Sequence, residues 1–222
     1  MNKLFVKSVR KRFGKLRVLE EVNFTCSTGE ILAIFGRNGT GKSTLLRILF
    51  GVLHPDHSDI VLNNRPLLRN RLHEFFGFHH QQVFLPKNIT VRNLVPLFFP
   101  DGEIQNKIFY DPYINRIEKQ KVGVLSIGEQ RYLQFLLLIN SSHPFLLLDE
   151  PFSMTGPRIT EIIKEKILEK KSQKGFIITD HFYKDVLEIA DRIKMMKNGV
   201  MISIAEKAEL VTHGYLSSRM LT

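Results

Sequence analysis

Short apolar runs alternate with stretches of helical spacing along this chain, and the spacing predicts both the elements and their order. Val22, Phe24 and Cys26 alternate with polar neighbours, and Thr28-Gly29 follows. That period of two reads as half-buried strand, so residues 3–28 are expected to form an antiparallel ribbon ahead of the apolar run 31–35. The runs 145–148 and 176–179 are apolar throughout, as strands of a parallel sheet are when both faces are covered. Between these runs the period changes. Leu45, Leu46, Ile48 and Leu49 recur at helical intervals, as do Ile159, Ile162, Ile163 and Ile167, and then Phe182, Val186, Ile189 and Ala190. Asn198-Gly199 predicts a tight hairpin turn between Met196 and Val200. Residues 84–124 carry Pro86, Pro96, Pro100 and Pro112 with weak periodicity and read as a small, mainly helical insertion. The expected fold class is α/β: a mainly parallel sheet, an N-terminal antiparallel ribbon and a helical subdomain.

Composition narrows the compartment and the partners. A chain of 222 residues forms one large domain, or one with a subdomain, and buries about 70% of its unfolded surface. Cys26 is the single cysteine, so no internal disulfide forms and a reducing compartment is expected. Leu4-Phe5-Val6 is too short for a secretion signal before Lys7 interrupts it. The longest uncharged stretch, 132–148, contains Gln134, Asn140, Ser141, Ser142, His143 and Pro144, and reads as helix, turn and strand rather than a membrane span. The net charge of +10 suits nucleotide phosphates or an anionic membrane face. Lys and Arg are scattered rather than blocked, so no specific nucleic acid is expected. His79-His80, His54 and His57 have no cysteine or carboxylate cluster beside them and read as packing or solvated residues.

Two segments carry chemistry. Gly36-Arg37-Asn38-Gly39-Thr40-Gly41-Lys42-Ser43 fits G-x-x-x-x-G-K-[ST] between a strand and a helix, the context in which backbone N–H groups converge on phosphate oxygens. Lys42 is placed to reach the β- and γ-phosphates, and the Ser43 hydroxyl suits the shell of Mg²⁺. The run 145–148 ends in Asp149-Glu150, two carboxylates at the mouth of a buried strand. Together they describe a P-loop machine for hydrolysing nucleoside triphosphate.

A third element separates the P-loop classes. Leu125-Ser126-Ile127-Gly128-Glu129, opening a helix shortly before the 145 strand, resembles the L-S-G-G-Q signature of ATP-binding cassette (ABC) ATPases. Gln81, after Gly77-Phe78 and before Ile89-Thr90-Val91, is similar to the family's Q-loop glutamine; its spacing favours it over Gln82. Thr179-Asp180-His181 resembles the switch-histidine segment, and Phe13-Gly14 the aromatic that stacks on adenine. By its own neighbourhood Phe13 reads instead as ribbon core. No guanine-reading N-K-x-D motif is present.

The resemblance implies a nucleotide site of Phe13, Val18, residues 36–43 and Thr44, with ATP and Mg²⁺ as cofactors. It implies Ser43, Gln81 and Asp149 around the metal, and Lys42, Glu150 and His181 as the catalytic groups. Ser126, Gly128 and Glu129 then serve a nucleotide held by a second cassette, and a transmembrane permease is the other partner. The implied location is the inner face of the cytoplasmic membrane. Residues 1–83 and 145–222 form the core of a single 1–222 domain, and 84–144 the helical subdomain bearing the signature. A soluble ABC ATPase of iron–sulfur assembly, or one linked to nucleic acid or the ribosome, is the alternative. The chain departs from the pattern at Ile127, Glu129, Tyr132, where an arginine is usual, and Ser58, where a turn glycine is usual. The largest departure is Gly156, where the family's D-loop has aspartate. That glycine is expected either to remove an acceptor from the dimer seam or to mark a loop with positive φ.

Overall fold

In the computed structural model, which describes residues 1–216, a ten-stranded mixed sheet carries helices on both faces. The strands are β1 (Lys3–Phe13), β2 (Leu16–Ser27), β3 (Ile31–Phe35), β4 (His57–Leu62), β5 (Arg65–Pro66), β6 (Phe76–His79), β7 (Phe145–Asp149), β8 (Gly175–Thr179), β9 (Arg192–Lys197) and β10 (Val200–Ile204). The helices are α1 (Lys42–Phe50), α2 (Val91–Phe98), α3 (Gly102–Phe109), α4 (Pro112–Ile117), α5 (Ile127–Ile139), α6 (Pro157–Lys170), α7 (Tyr183–Ile189) and α8 (Glu209–Thr212). Across the sheet the order is β5-β4-β1-β2-β10-β9-β3-β8-β7-β6. The strands β9-β3-β8-β7-β6 run parallel, and β1 pairs antiparallel with β2 and β4. One parallel pair, Val200 opposite Glu21, joins the ribbon to the rest.

Both faces of the parallel strands are apolar because each face meets a different layer. Leu32, Ile34, Phe145, Leu147 and Ile177 pack with Leu45, Leu46, Ile48 and Leu49 of α1 and with the ribbon. Their chain neighbours Ala33, Phe35, Leu146, Leu148, Phe176 and Ile178 face the opposite way, toward α5, α6 and α7. Each aliphatic side chain so removed from water contributes about 1.5–3 kcal/mol. The sheet centre is thereby a rigid base, and β3, β6, β7 and β8 present their carboxyl ends along one edge, where ligands of open α/β sheets bind.

The ribbon, the 198–199 hairpin and the apolar strands lie where the spacing predicted them. Strands β4 and β6 were not anticipated, and Ser58 sits within β4 rather than in a turn. Between β6 and β7 the described secondary structure is helical apart from one isolated bridge, Thr90 to Lys121. Tyr132, the departure from arginine, is buried and donates to Asp111 Oδ2 at 2.7 Å. Asp111 caps α4 and lies 3.3 Å from Lys166 of α6, so this tyrosine ties α4, α5 and α6 together. Gly77 lets α5 approach β6, since a Cβ there would lie 2.6 Å from Leu138 Cδ1 and 2.9 Å from Leu146 Cδ2. No helix among the described residues is long and apolar enough to cross a membrane.

Candidate active site

The loop 36–41 leaves β3 and opens α1, which has no side-chain cap at its start. Its N-terminal backbone N–H groups therefore have no capping side chain, the arrangement that favours an anion. Two of its glycines are required by close approach. A Cβ at Gly36 would lie 2.6 Å from the Met196 carbonyl, and one at Gly41 would lie 2.8 Å from Leu19 Cδ2 and 3.0 Å from Val18 Cγ1. The latter contact brings Val18 against the loop. A cavity of about 480 Å³, lined by Gly36, Arg37, Thr40, Met196, Asn198 and Tyr215, opens beside it.

Lys42 folds back on this loop, its Nζ donating to the carbonyls of Gly36 at 2.6 Å and Arg37 at 3.1 Å. Burial lowers its pKa, and the charges of Glu150, Asp149 and Asp180 oppose that shift. Ser43 donates to Asp149 Oδ1 at 3.2 Å across a separation of 106 positions, and Thr179 donates to the same oxygen at 2.7 Å. Asp149 is 3% exposed, so its direction is fixed by these hydroxyls. Ser43 and Asp149 offer oxygen atoms, and Gln81 has a further amide oxygen, a donor set that fits Mg²⁺ with waters completing the shell.

Glu150 stands between two side chains. His181 Nε2 lies 2.9 Å from its Oε1, and Gln81 Nε2 donates to its Oε2 at 2.9 Å. The backbone N–H of the neighbouring Gln82 donates to His80 Nδ1 at 2.9 Å. The Glu150 backbone has φ 53, held by its N–H to the Thr179 carbonyl at 2.7 Å. Fully buried Asp180 joins the turns after β7 and β8 by accepting from the N–H groups of Phe152 and Phe182, each at 2.9 Å. Burial raises the Asp180 pKa even though those bonds favour its ionised form.

Sequence reasoning overlooked Arg131. This side chain of α5, in a residue 2% exposed, donates from Nη1 to the Gln81 carbonyl and from Nη2 to the Glu150 carbonyl, both at 2.5 Å. Its signal is a single cation on a helix face whose neighbours Tyr132, Leu133, Phe135 and Leu136 are all buried. Thr179, in sequence merely the residue before Asp180-His181, donates its hydroxyl to Asp149 Oδ1.

Phe13 is 48% exposed at the β1–β2 turn, with Lys11 Nζ 5.1 Å from its ring centre, which rules out the core reading. Ser126 caps α5 and shares a capping box with Glu129: the serine N–H and Oγ donate to Glu129 Oε2 at 2.8 and 2.7 Å. Ser126, Gly128 and Glu129 line a separate cavity of about 470 Å³ with Met154, Gly156 and Arg116. No phosphate-loop residue, nor Gln81, Asp149, Glu150 or His181, borders it.

Gly156 corrects one expectation. Its φ is −71, in the extended region, and a Cβ there meets nothing within 4 Å, so the loop does not demand glycine. Positive φ occurs instead at Met154. Phe84 and Phe98 line a third, apolar groove of about 520 Å³ with Arg47, Phe50, Phe78 and His80. Leu97 is exposed outside that lining, whereas Phe99 is buried in the core.

Comparison with known proteins identifies the family and the fold. The chain is 28% identical over 221 residues to the ribose import ATP-binding protein RbsA of Lacticaseibacillus paracasei, covering 90% of this chain but 44% of that protein. It thus spans about half the length of such relatives. A probable sulfate/thiosulfate import ATP-binding protein CysA of Chlorella vulgaris is 27% identical over 221 residues, covering 95% of this chain and 94% of its own length. The fold superposes on a dimeric post-hydrolysis ATP-binding cassette solved with ADP and Pi, with TM-score 0.76, 23% identity, and coverage of 91% and 99% of the two chains. The ABC transporter family model matches residues 19–153, more than half of the sequence, and the chain belongs to that family.

Proposed function

We propose that this chain binds and hydrolyses ATP to drive a separate transmembrane permease, working as one of two cassettes that close around nucleotide. The observation that carries the reading is the convergence of Lys42, Ser43, Asp149, Gln81, Glu150 and His181 at one edge of the sheet, with Ser126 and Gly128 on a different cavity.

Residues 36–44 would cradle the phosphates, and Lys42 would exchange its loop carbonyls for phosphate oxygens. Phe13 and Val18 would face the base, with Val18 lying against that loop at Gly41. Ser43, Asp149 and Gln81 would hold Mg²⁺, which when bound neutralises phosphate charge. Glu150, aimed by Gln81 and His181, accepts the proton of the attacking water or orients it. His181, 2.9 Å from that carboxylate, keeps the nucleophile and the terminal phosphate in line. Ser126, Gly128 and Glu129 would meet the nucleotide of the opposite cassette, so a lone chain has half of each site.

The core comprises residues 1–83 and 145–216, with 84–144 as the helical subdomain; residues 217–222, expected to belong to the core, lie outside the described residues. Phe84 and Phe98 sit on an apolar groove suited to a helix of the permease, which favours a transporter at the inner membrane face over a soluble cassette. Sugar and sulfate importers both resemble this chain, which fits cargo being chosen by the permease rather than by this subunit.

The test is Glu150→Gln. The variant is expected to bind MgATP, lose turnover, and sediment as a dimer with ATP and a monomer without. A variant that stays monomeric in saturating MgATP, alone and with its permease, would overturn the two-cassette reading.

A further inference from the structure

We propose that Arg131 relays the state of the signature helix to the Glu150 of its own chain, so that each site of a pair responds to nucleotide seated at the other. The inference rests on the two-cassette reading above. Arg131 lies on α5, the helix whose first turn carries Ser126 and Gly128. Its guanidinium forks between two loops that end different strands, reaching the Gln81 carbonyl after β6 and the Glu150 carbonyl after β7, each at 2.5 Å. Such a planar fork fixes both loops relative to α5, which a single ammonium cannot do. The surroundings leave it no substitute: Arg131 is 2% exposed and its Nε has no partner.

Glu150 is the element this fork can switch. Its φ of 53 is uncommon for a residue with a side chain and persists only where neighbours hold it. Its N–H donates to the Thr179 carbonyl, and its own carbonyl accepts from the Ser153 N–H at 3.2 Å and from Arg131, the one of these partners that belongs to α5. The helix is stiff enough to transmit a displacement, with a capping box at its start and tight packing on β6 at Gly77. Nucleotide docked in the cavity of Ser126, Gly128 and Met154 would press on both ends of the connection, α5 and the loop following Glu150. Residue 156, as glycine, has no side chain to carry the message across the seam.

The test uses mixed dimers in which only one chain can hydrolyse. Its partner carries either Glu150→Gln, which fills its own phosphate loop, or Lys42→Ala, which leaves it empty. With Arg131 present, live-site turnover should differ by about 10-fold between the two partners, a usual size for coupling between sites. Arg131→Lys in the live chain should bring that ratio to about 1, and in the partner chain should leave it standing. Arg131→Gln, which reaches one carbonyl, should act like the lysine. The proposal is overturned if the ratio is already about 1 with Arg131 in place, survives either substitution, or is lost whichever chain carries the change. Failure of both variants to fold by circular dichroism makes Arg131 purely structural and also overturns it. If the Glu150→Gln chain forms no ATP-dependent dimer, the two-cassette reading fails first, and that outcome is distinguishable.

Discussion

The phosphate-loop half of the site is closed on itself: Lys42 is bonded to Gly36 and Arg37, Ser43 to Asp149, and Glu150 to both Gln81 and His181. The signature half is built differently. Ser126 and Glu129 satisfy each other, and with Gly128 and Gly156 they line an open cavity that none of Lys42, Gln81, Asp149, Glu150 or His181 borders. One half owes its geometry to strand ends set by the sheet. The other owes its geometry to a helix terminus, which positions donors but supplies no chemistry alone. A closed half and an incomplete half are what a site shared between two chains requires.

The largest expected effect breaks the first half. Lys42→Ala should lower turnover by at least about 100-fold, the scale of losing a preorganised charge contact to a reacting phosphate, with phosphate release as the readout. Wild-type turnover in this variant would mean that the loop is not the phosphate cradle.

Next in size is the junction between the halves. His79 is 1% exposed, its Nε2 is 3.4 Å from the Arg131 carbonyl, and burial lowers its pKa from 6.5 to about 4. The unfolded chain then binds more protons than the folded one between those values, so stability rises with pH there. Its contribution is complete above pH 6.5, declines as pH falls, and is gone below about 4, an order of 3 kcal/mol in all. Melting temperatures from pH 7 to 4.5 should fall less steeply for His79→Phe than for wild type; parallel curves would show that the histidine is protonated in the fold.

Phe13→Ala probes the rim of the first half. The exposed ring should contribute about 1–3 kcal/mol to ATP and GTP affinity alike, as base–aromatic stacking does. Titration of nucleotide against both proteins measures it, and unchanged affinity would leave Phe13 without a stacking role.

The smallest effect sharpens the second half. Gly156 is the N-cap of α6 with no side-chain cap, and a Cβ fits freely. Gly156→Asp should therefore stabilise the fold by a few tenths of a kcal/mol, roughly 1 °C in melting temperature, because an aspartate there can accept from the helix's first N–H groups. The same side chain restores an acceptor at the seam and should raise cross-site coupling in the mixed dimers above. A lower melting temperature would contradict the cap geometry.

By itself the sequence determined the parts whose signal is local. Period-two spacing located the ribbon, continuous apolar runs located β3, β7 and β8, and period-3.6 spacing located α1, α6 and α7, because burial of one face or two leaves its imprint on successive residues. The glycine spacing of 36–41 and the carboxylate pair at 149–150 marked the chemistry for the same reason: backbone approach and strand ends are written in consecutive positions. Strands β4 and β6 escaped because His57–Leu62 and Phe76–His79 are short and mix polar with apolar residues, so pairing with β1 and β7 defines them more than propensity does. Only the tertiary structure decided that the Gln81 amide donates to Glu150, that Phe13 faces solvent, and that Gly156 has an ordinary extended backbone. It alone brought Arg131 to carbonyls 50 and 19 positions away, since contacts at that separation depend on how layers stack rather than on any neighbour in sequence.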